Sequence, residues 1–525
     1  MPQPFRERRR DPRTNPARSL SHLLRTRASR DGWSMLACGE PGGALRAASC
    51  SPERARPLFG SADRPEQAPA QGDLPLTQRW DTPAGLSLHT ASLSVAGQGV
   101  LLVGLEEPWS EQREHVRSKR LIDTAWRAAV IQLEERLAEG FAVVVTLSPP
   151  ALVSLAQSAG LSPAEAGGRL AAFFKGLGVA AVLDDSVGRD LALLQAAEEF
   201  VERFQAHERR QTGAEAGPSG GEGAGPLPVL ASECPGWVCY AEKTHGEAVL
   251  PHLAAGRSAQ GVMGLLTKRL LGGRLGAPPD RIYHCAVMPC YDKKLEASRP
   301  DFASGGVPET DCVLTTGEVQ GLLEERGVSL LDLETQPLDS LAGDAGPETG
   351  GGLLAGETAS GGYAHFIFRE AARRLFDMEV PPGPLPLERG RNPDFHELTL
   401  RGATGEPLLS FALAYGFRNI QNVVRNLKRG KSKYHYVEVL ACPSGCLNGG
   451  GQVKPPAGTT NKELLQALEA SYGTNFGFRA PSASPGAAAA RRALEDAGVD
   501  TSAGLRTEYH AVEKAPPVLT VLSNW

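Results

Sequence analysis

The stretch Tyr434–Gln452, YHYVEVLACPSGCLNGGGQ, carries the reading on which the fold turns. Its first half is apolar almost without a break, as a strand buried on both faces must be. Its second half changes to Cys, Pro, Ser, Gly and Asn, the composition of a tight loop. Two cysteines, Cys442 and Cys446, stand in that loop. The chain uses the same arrangement twice more. PLPVLA leads to Cys234 in ASECPGW, and IYHCAVM leads to Cys290 in VMPCYDKK. In open α/β sheets the carboxyl ends of strands face the site, because the loops there are free to carry chemistry. Three such strands deliver four thiols to one edge.

Four cysteine thiolates suit an iron–sulfur cluster. Structural zinc is the alternative, and it usually takes paired C-x-x-C knuckles. The chain has none, since its close pair at this site is C-x-x-x-C. Disulfides would call for a secreted context, and no signal peptide opens the sequence. Free cysteines are also often small buried hydrophobes. Cys239, Cys285 and Cys312 read that way, because they lie inside apolar segments. Glycine or proline flanks each of the other four, which core packing does not require.

CPGW, MPCYDKKLEASRPDF, DCVLTTGEV, FALAYGFRNIQN and ACPSGCLNGGGQ together resemble the iron-only hydrogenase-like family, from about Phe141 to about Tyr472, with a short further match at YHAVEK. The resemblance implies an α/β fold like the iron-only hydrogenase large subunit. Two α/β lobes with parallel-rich sheets would enclose a cluster in the cleft between them. It implies that Cys234, Cys290, Cys442 and Cys446 hold one [4Fe-4S] cluster. Cys234 would come from the first lobe, Cys442 and Cys446 from the second, and Cys290 from where they meet.

Two positions separate this chain from the hydrogenases it resembles. Glu233 stands where they carry a proton-relaying cysteine, and Leu440 where they carry a methionine over the cluster. The scaffold looks retained and hydrogen chemistry lost, so no enzyme activity is expected. Lys293 either faces the cluster or pairs with Glu296 at i+3. Trp237 either shields the cluster or fills the core, and the Gly449–Gly451 run offers backbone N–H groups to the sulfurs. The branch of the family that the chain resembles implies a cytoplasmic role in cytosolic iron–sulfur assembly. Partners would be proteins of the targeting complex and client apoproteins. A hydrogenase-type redox enzyme and a nuclear prelamin A-binding protein are the alternatives. Relatives of this branch also hold a second, N-terminal cluster on a C-x-x-C-x-x-C run. Here Cys38 and Cys50 are the cysteines before Phe141, so that cluster is not expected.

Composition sets the outer bounds. With 41% hydrophobic and 22% charged residues over 525 positions, the chain is globular, with room for two or three domains. A net charge of −5 gives no general attraction to nucleic acid. No run of about 18 apolar residues suggests a membrane span. Residues 1–115 are rich in Pro, Gly, Ser and Arg and read as a disordered or atypical extension. Its arginine-rich first 30 residues read as a solvated arm, with a transit peptide or nuclear-localisation patch as alternatives. The first lobe is expected over 116–280 with a Gly-rich insert at 212–226. The second is expected over 281–475 with an insert at 336–362, followed by a tail over 476–525 that ends in a potential docking residue, Trp525.

Overall fold

The structure is a computed structural model and describes residues 127–213, 225–341, 353–390 and 392–512, together with three strands between 77 and 106. The chain divides into two units, Met1–Ser118 and Lys119–Trp525. Cys38, Cys50 and Trp525 lie outside the described residues.

The first unit contains an antiparallel meander of Thr77–Asp81, Ser87–Val95 and Gln98–Glu106. These strands lie within the stretch 1–115 that the sequence reads as a disordered or atypical extension. Val95 pairs with Gln98, which leaves only Ala96 and Gly97 between the strands. A two-residue connection containing glycine is a hairpin signal.

The second unit is built on two sheets. The four-stranded sheet runs Cys312–Thr315, Ile282–Met288, Ala142–Leu147, Ala181–Asp184, all parallel. Its two central strands, AVVVTL and IYHCAVM, are buried almost throughout, as parallel strands covered on both faces must be. The five-stranded sheet runs Glu388–Arg389, Phe395–Arg401, Pro407–Tyr415, Tyr436–Leu440, Val229–Ala231. Its first three strands are antiparallel neighbours, and the last two join in parallel.

Helices form three layers around the sheets. The largest apolar core places Phe200 and Phe204 of Ser186–Thr212, Met263 of Ala259–Leu270 and Phe366 of Tyr363–Phe376 between the sheets. It takes in Val144 and Leu183 from one sheet and Phe411 and Tyr436 from the other. Helices Pro149–Ala159, Pro163–Gly176 and Thr316–Glu325 cover the far face of the four-stranded sheet. Two of these begin with capping boxes, Ser162 with Glu165 and Thr315 with Glu318. Phe417–Lys428 and Pro235–Tyr240 cover the far face of the five-stranded sheet.

The expected boundary at 280/281 does not separate the sheets. Val229–Ala231, from the expected first lobe, pairs with Tyr436–Leu440 of the second. Ile282–Met288 and Cys312–Thr315, from the expected second lobe, complete the sheet begun by Ala142–Leu147. Cys234 therefore follows a strand of the five-stranded sheet, together with Cys442 and Cys446. Cys290 alone follows a strand of the four-stranded sheet. A buried parallel strand is recognisable by its composition, but its neighbour is set by the crossover that follows it.

The tail also differs from the expected reading. Pro485–Asp496 is a helix capped by Ser484, and it buries Ala487 and Leu494 in the main core. Beyond it the chain lies across the start of the Ala259–Leu270 helix. The Arg257 N–H donates to the Leu505 carbonyl at 2.9 Å, and the Thr507 N–H to the Ala255 carbonyl at 2.8 Å.

Candidate metal centre

Each cysteine of interest leaves its strand on a loop that the neighbouring backbone holds. Cys234 begins the Pro235–Tyr240 helix, with Pro235 in its first turn. Its own N–H donates to Ser232 Oγ at 2.9 Å, and that hydroxyl donates to the Val439 carbonyl on the adjacent strand. The Cys234 loop is thereby fastened to the strand that carries Cys442. In the Cys442–Cys446 loop, the Ser444 N–H donates to Asp394 Oδ1 at 2.7 Å, and the Cys446 N–H to Ser360 Oγ at 3.0 Å. The glycine run then crosses to the other sheet. The Gly451 N–H donates to the Pro289 carbonyl at 3.0 Å, and the Gly451 carbonyl accepts from the Gly317 N–H at 2.8 Å. A side chain on Gly451 would meet Thr315 Cβ at 2.7 Å and Cys290 Cα at 3.1 Å. Only glycine lets the Cys446 loop approach the Cys290 loop this closely.

These loops bring all four predicted thiols into electrostatic contact. Burial raises all four above the ordinary cysteine value, Cys290 to about 12 and Cys442 to about 11. After burial, the next cause of the Cys290 and Cys442 shifts is Cys234, and for Cys446 it is Cys290. The opposing contributions favour thiolates. Backbone N–H groups of Ala441, Trp237 and Gly236 act on Cys234, that of Lys293 on Cys290, and that of Gly450 on Cys442. The Ser360 hydroxyl acts on Cys446. Thiols that repel one another as anions need a positive partner to ionise together, and metal binding supplies it by displacing the protons.

Among the described residues, no three His, Cys, Asp or Glu side chains converge on a position for one metal ion. A cluster asks for a different arrangement, because its four thiolates end on different irons. The donor set, the inward N–H groups and the missing side chain at Gly451 fit such a group.

Around the thiols the structure resolves several alternatives. Lys293 is buried and paired with Glu296 at 3.0 Å, and it also borders the cavity at Cys446. Burial opposes its charge, but Glu296 and Glu233 more than compensate and raise it above the ordinary lysine value. Trp237 is fully buried in the apolar cluster that contains Cys234. Glu233 accepts from the Tyr363 hydroxyl at 3.1 Å and from the Ala259 N–H at 3.2 Å. Leu440 is core. The cavity at Cys446 measures about 40 Å³, and its walls include Asp185, Arg189, Gln260 and Tyr472. A second cavity, of about 30 Å³, reaches Cys234 and is walled by Leu295, Phe302 and Tyr509.

Cys285 and Cys312 are core, as expected, and face each other in register on adjacent strands. Cys239 is a correction. It is half-buried and borders the cavity that reaches Cys234. Its apolar neighbours belong to a short surface helix rather than a strand, so half of that segment faces outward. Sequence reasoning missed Ser360, Asp292 and Asp394. Asp292 sits two residues after Cys290, against Gly236, and raises both Cys234 and Cys442. Its place inside MPCYDKK was the available signal. Ser360 lies in a Gly-rich stretch with no local signal.

Comparison with known proteins defines the class first. The family described as iron only hydrogenase large subunit, C-terminal domain, matches residues 141–450. A variant of the [FeFe]-hydrogenase HydA1 from Chlamydomonas reinhardtii is similar with a TM-score of 0.61 and 25% identity, covering 73% of this chain and 99% of that one. The chain belongs to the iron-only hydrogenase-like family. Its curated relatives are more particular. A Pongo abelii protein named cytosolic iron-sulfur assembly component 3 is 47% identical, over 77% of this chain and 80% of its own. The Danio rerio cytosolic Fe-S cluster assembly factor narfl is 46% identical, over 72% and 89%. Protein NAR1 of Arabidopsis thaliana is 42% identical, over 74% and 82%.

Proposed function

We propose that the chain is an iron–sulfur protein of the cytosolic iron–sulfur assembly machinery. One [4Fe-4S] cluster is held by Cys234, Cys290, Cys442 and Cys446, and the protein acts without catalytic turnover. It links early scaffold components to the late targeting complex that delivers clusters to client apoproteins in the cytoplasm. The observation that carries this reading is the set of four buried thiols at the ends of strands in two different sheets, with Cys290, Cys442 and Cys446 each sensing Cys234. The names of the 42–48% identical relatives support the assembly role. Glu233, tied to two donors, and Leu440, packed in the core, support the absence of hydrogen chemistry. When bound, the cluster supplies a one-electron centre or a transferable iron–sulfur unit. The protein's own groups bury it, direct N–H donors at its thiolates and place Lys293 as a countercharge beside Cys290. Among the described residues no helix is long and apolar enough to cross a membrane.

Anaerobically purified protein should hold about four irons and four sulfides per chain. Deleting residues 1–115 should leave that content unchanged. About eight irons, or loss of all iron on deletion, would overturn the single-cluster reading. The fold match to [FeFe]-hydrogenases favours a second reading, a hydrogen-converting enzyme. Hydrogen evolution, or infrared bands from carbon monoxide and cyanide ligands, in protein isolated with its native maturation partners would establish that reading instead.

A further inference from the structure

The helix Phe417–Lys428 and the residues just after it carry a concentrated run of basic charge. Between Phe417 and Lys433 stand six basic residues and no acid, in a chain whose formal charge is −5. Arg418, Arg425, Lys428, Arg429, Lys431 and Lys433 are all exposed. Lys433 pairs with Glu397. Among the described residues the other five have no carboxylate partner.

The spacing arranges these charges. Arg418, Arg425 and Arg429 fall at i, i+7 and i+11, which places them in one stripe along the helix. At about 1.5 Å per residue the stripe is about 16 Å long. Ile420, Val423 and Val424 fill the opposite face and bury it against the five-stranded sheet. The helix cannot roll without exposing them, so the stripe is held outward.

An aromatic group stands at the head of the stripe. Phe417 is 44% exposed and packs edge-on against Tyr240, with ring centroids 5.3 Å apart. Tyr240 in turn packs edge-on against His245, whose Nδ1 lies 3.2 Å from Lys428 Nζ. Exposed aromatic carbon beside arginine is the composition of an interface core. The patch also abuts the candidate cluster loops. The Gly416 N–H donates to the Leu440 carbonyl at 2.8 Å, and Asn419 Nδ2 to the Asp394 carbonyl at 3.2 Å. Asp394 is the residue that fastens Ser444, between Cys442 and Cys446. Tyr240 ends the helix that Cys234 begins.

We propose that Phe417 and the Arg418–Arg425–Arg429 stripe form a docking face for an acidic protein surface that carries an exposed apolar side chain. Carboxylates on that surface meet the arginines, and its apolar residue covers Phe417. Nucleic acid fits less well. Its charge extends far beyond one helix, and the net negative charge of the rest of the chain would oppose it. Charge complementarity of this kind acts chiefly through steering and specificity.

The test uses the full chain in its cluster-loaded form. A short fluorescein-labelled peptide of Asp and Glu residues around a central Trp is titrated by anisotropy. Binding should weaken as salt rises. The triple variant Arg418→Glu, Arg425→Glu, Arg429→Glu should weaken it at least about tenfold. Phe417→Ser should weaken it several-fold and leave the salt slope unchanged. Reversing two exposed arginines elsewhere, Arg269→Glu and Arg492→Glu, should change it by no more than about twofold. All of these side chains are exposed, and circular dichroism checks that each variant keeps the fold. Equal affinity in the triple variant overturns the proposal. So does tighter binding of duplex DNA than of the peptide, or self-association of the chain that the triple variant abolishes.

Discussion

Cys285 and Cys290 lie five positions apart and face opposite fates. Cys285 is inside the Ile282–Met288 strand, paired in register with Cys312 and surrounded by Val145, Leu314 and other apolar side chains. Its hydrogen bond with Cys312, together with burial, keeps it a thiol. Cys290 is just past the strand end, where the ladder has stopped. Its neighbours are loop N–H groups, the buried Lys293 and another cysteine. The same side chain is packing material within the ladder and a candidate ligand beyond it. The difference lies in what the backbone can offer. Inside a strand the N–H groups are committed to pairing, whereas at the carboxyl end they are free to face a group in the cleft.

The largest effect should come from exchanging one thiol of each kind for alanine. Cys290→Ala or Cys446→Ala should abolish the visible absorption of the cluster and lower its iron content. Cys285→Ala should keep the iron and lower stability by about 1–2 kcal/mol through the small void and the lost hydrogen bond. Iron lost from Cys285→Ala but retained in Cys290→Ala would reverse the comparison.

Glu438 tests the same rule with a carboxyl, because it is buried within the Tyr436–Leu440 strand. It accepts from the Ala364 N–H at 2.7 Å and the Tyr415 hydroxyl at 2.8 Å. Burial nevertheless raises its pKa from 4.5 to about 7. A pKa raised in the fold means that the protonated form is the better folded one. Its stability contribution is complete below pH 4.5 and is lost as pH climbs to about 7. Relative to Glu438→Gln, the natural protein should therefore lose about 3 kcal/mol across that window and nothing further above it. Urea titrations at stepped pH measure the difference, and a constant gap would remove the argument.

Gly451→Ala sharpens the contrast at the loops. Its methyl group would press on Thr315 and Cys290, at a cost of about 1–3 kcal/mol, and should hasten iron loss to a chelator. The same change at the solvent-facing Gly450, whose new side chain would meet nothing, should do much less. The smallest effect is expected at the segment closing the Cys234 cavity. Tyr509→Phe removes a hydrogen bond to the Ala254 carbonyl, worth about 1 kcal/mol, and should speed chelation modestly if that wall guards the thiol. Unchanged chelation kinetics would show that access runs elsewhere.

Much of the fold was legible because its signals are local. In sequence, Ser162 followed by Pro163 signals the Pro163–Gly176 helix, and Ser258 signals Ala259–Leu270. The reading failed where one residue type serves two purposes. In sequence the Pro149–Pro150 pair reads as the end of the strand FAVVVTLSP, yet the two prolines also begin the Pro149–Ala159 helix, since proline fits a first turn. The sequence reading leaves the Ala-rich stretch after Ser484 in the tail, but Ser484 and Pro485 are a cap and a first position.

From the sequence alone came four cysteines at the ends of apolar runs, the glycines beside them and the two departures at Glu233 and Leu440. Each is a property of a few adjacent residues. The exchange of strands between the sheets, which puts Cys234 with Cys442 and leaves Cys290 to cross from the other side, was decided by tertiary structure. So were the placement of Ser360 at Cys446, of Asp292 against Gly236, and of Tyr363 on Glu233. A strand's apolar pattern records that it will be buried. Its partner depends on contacts between residues far apart in the chain, where packing and crossover geometry choose among strands that look alike in sequence.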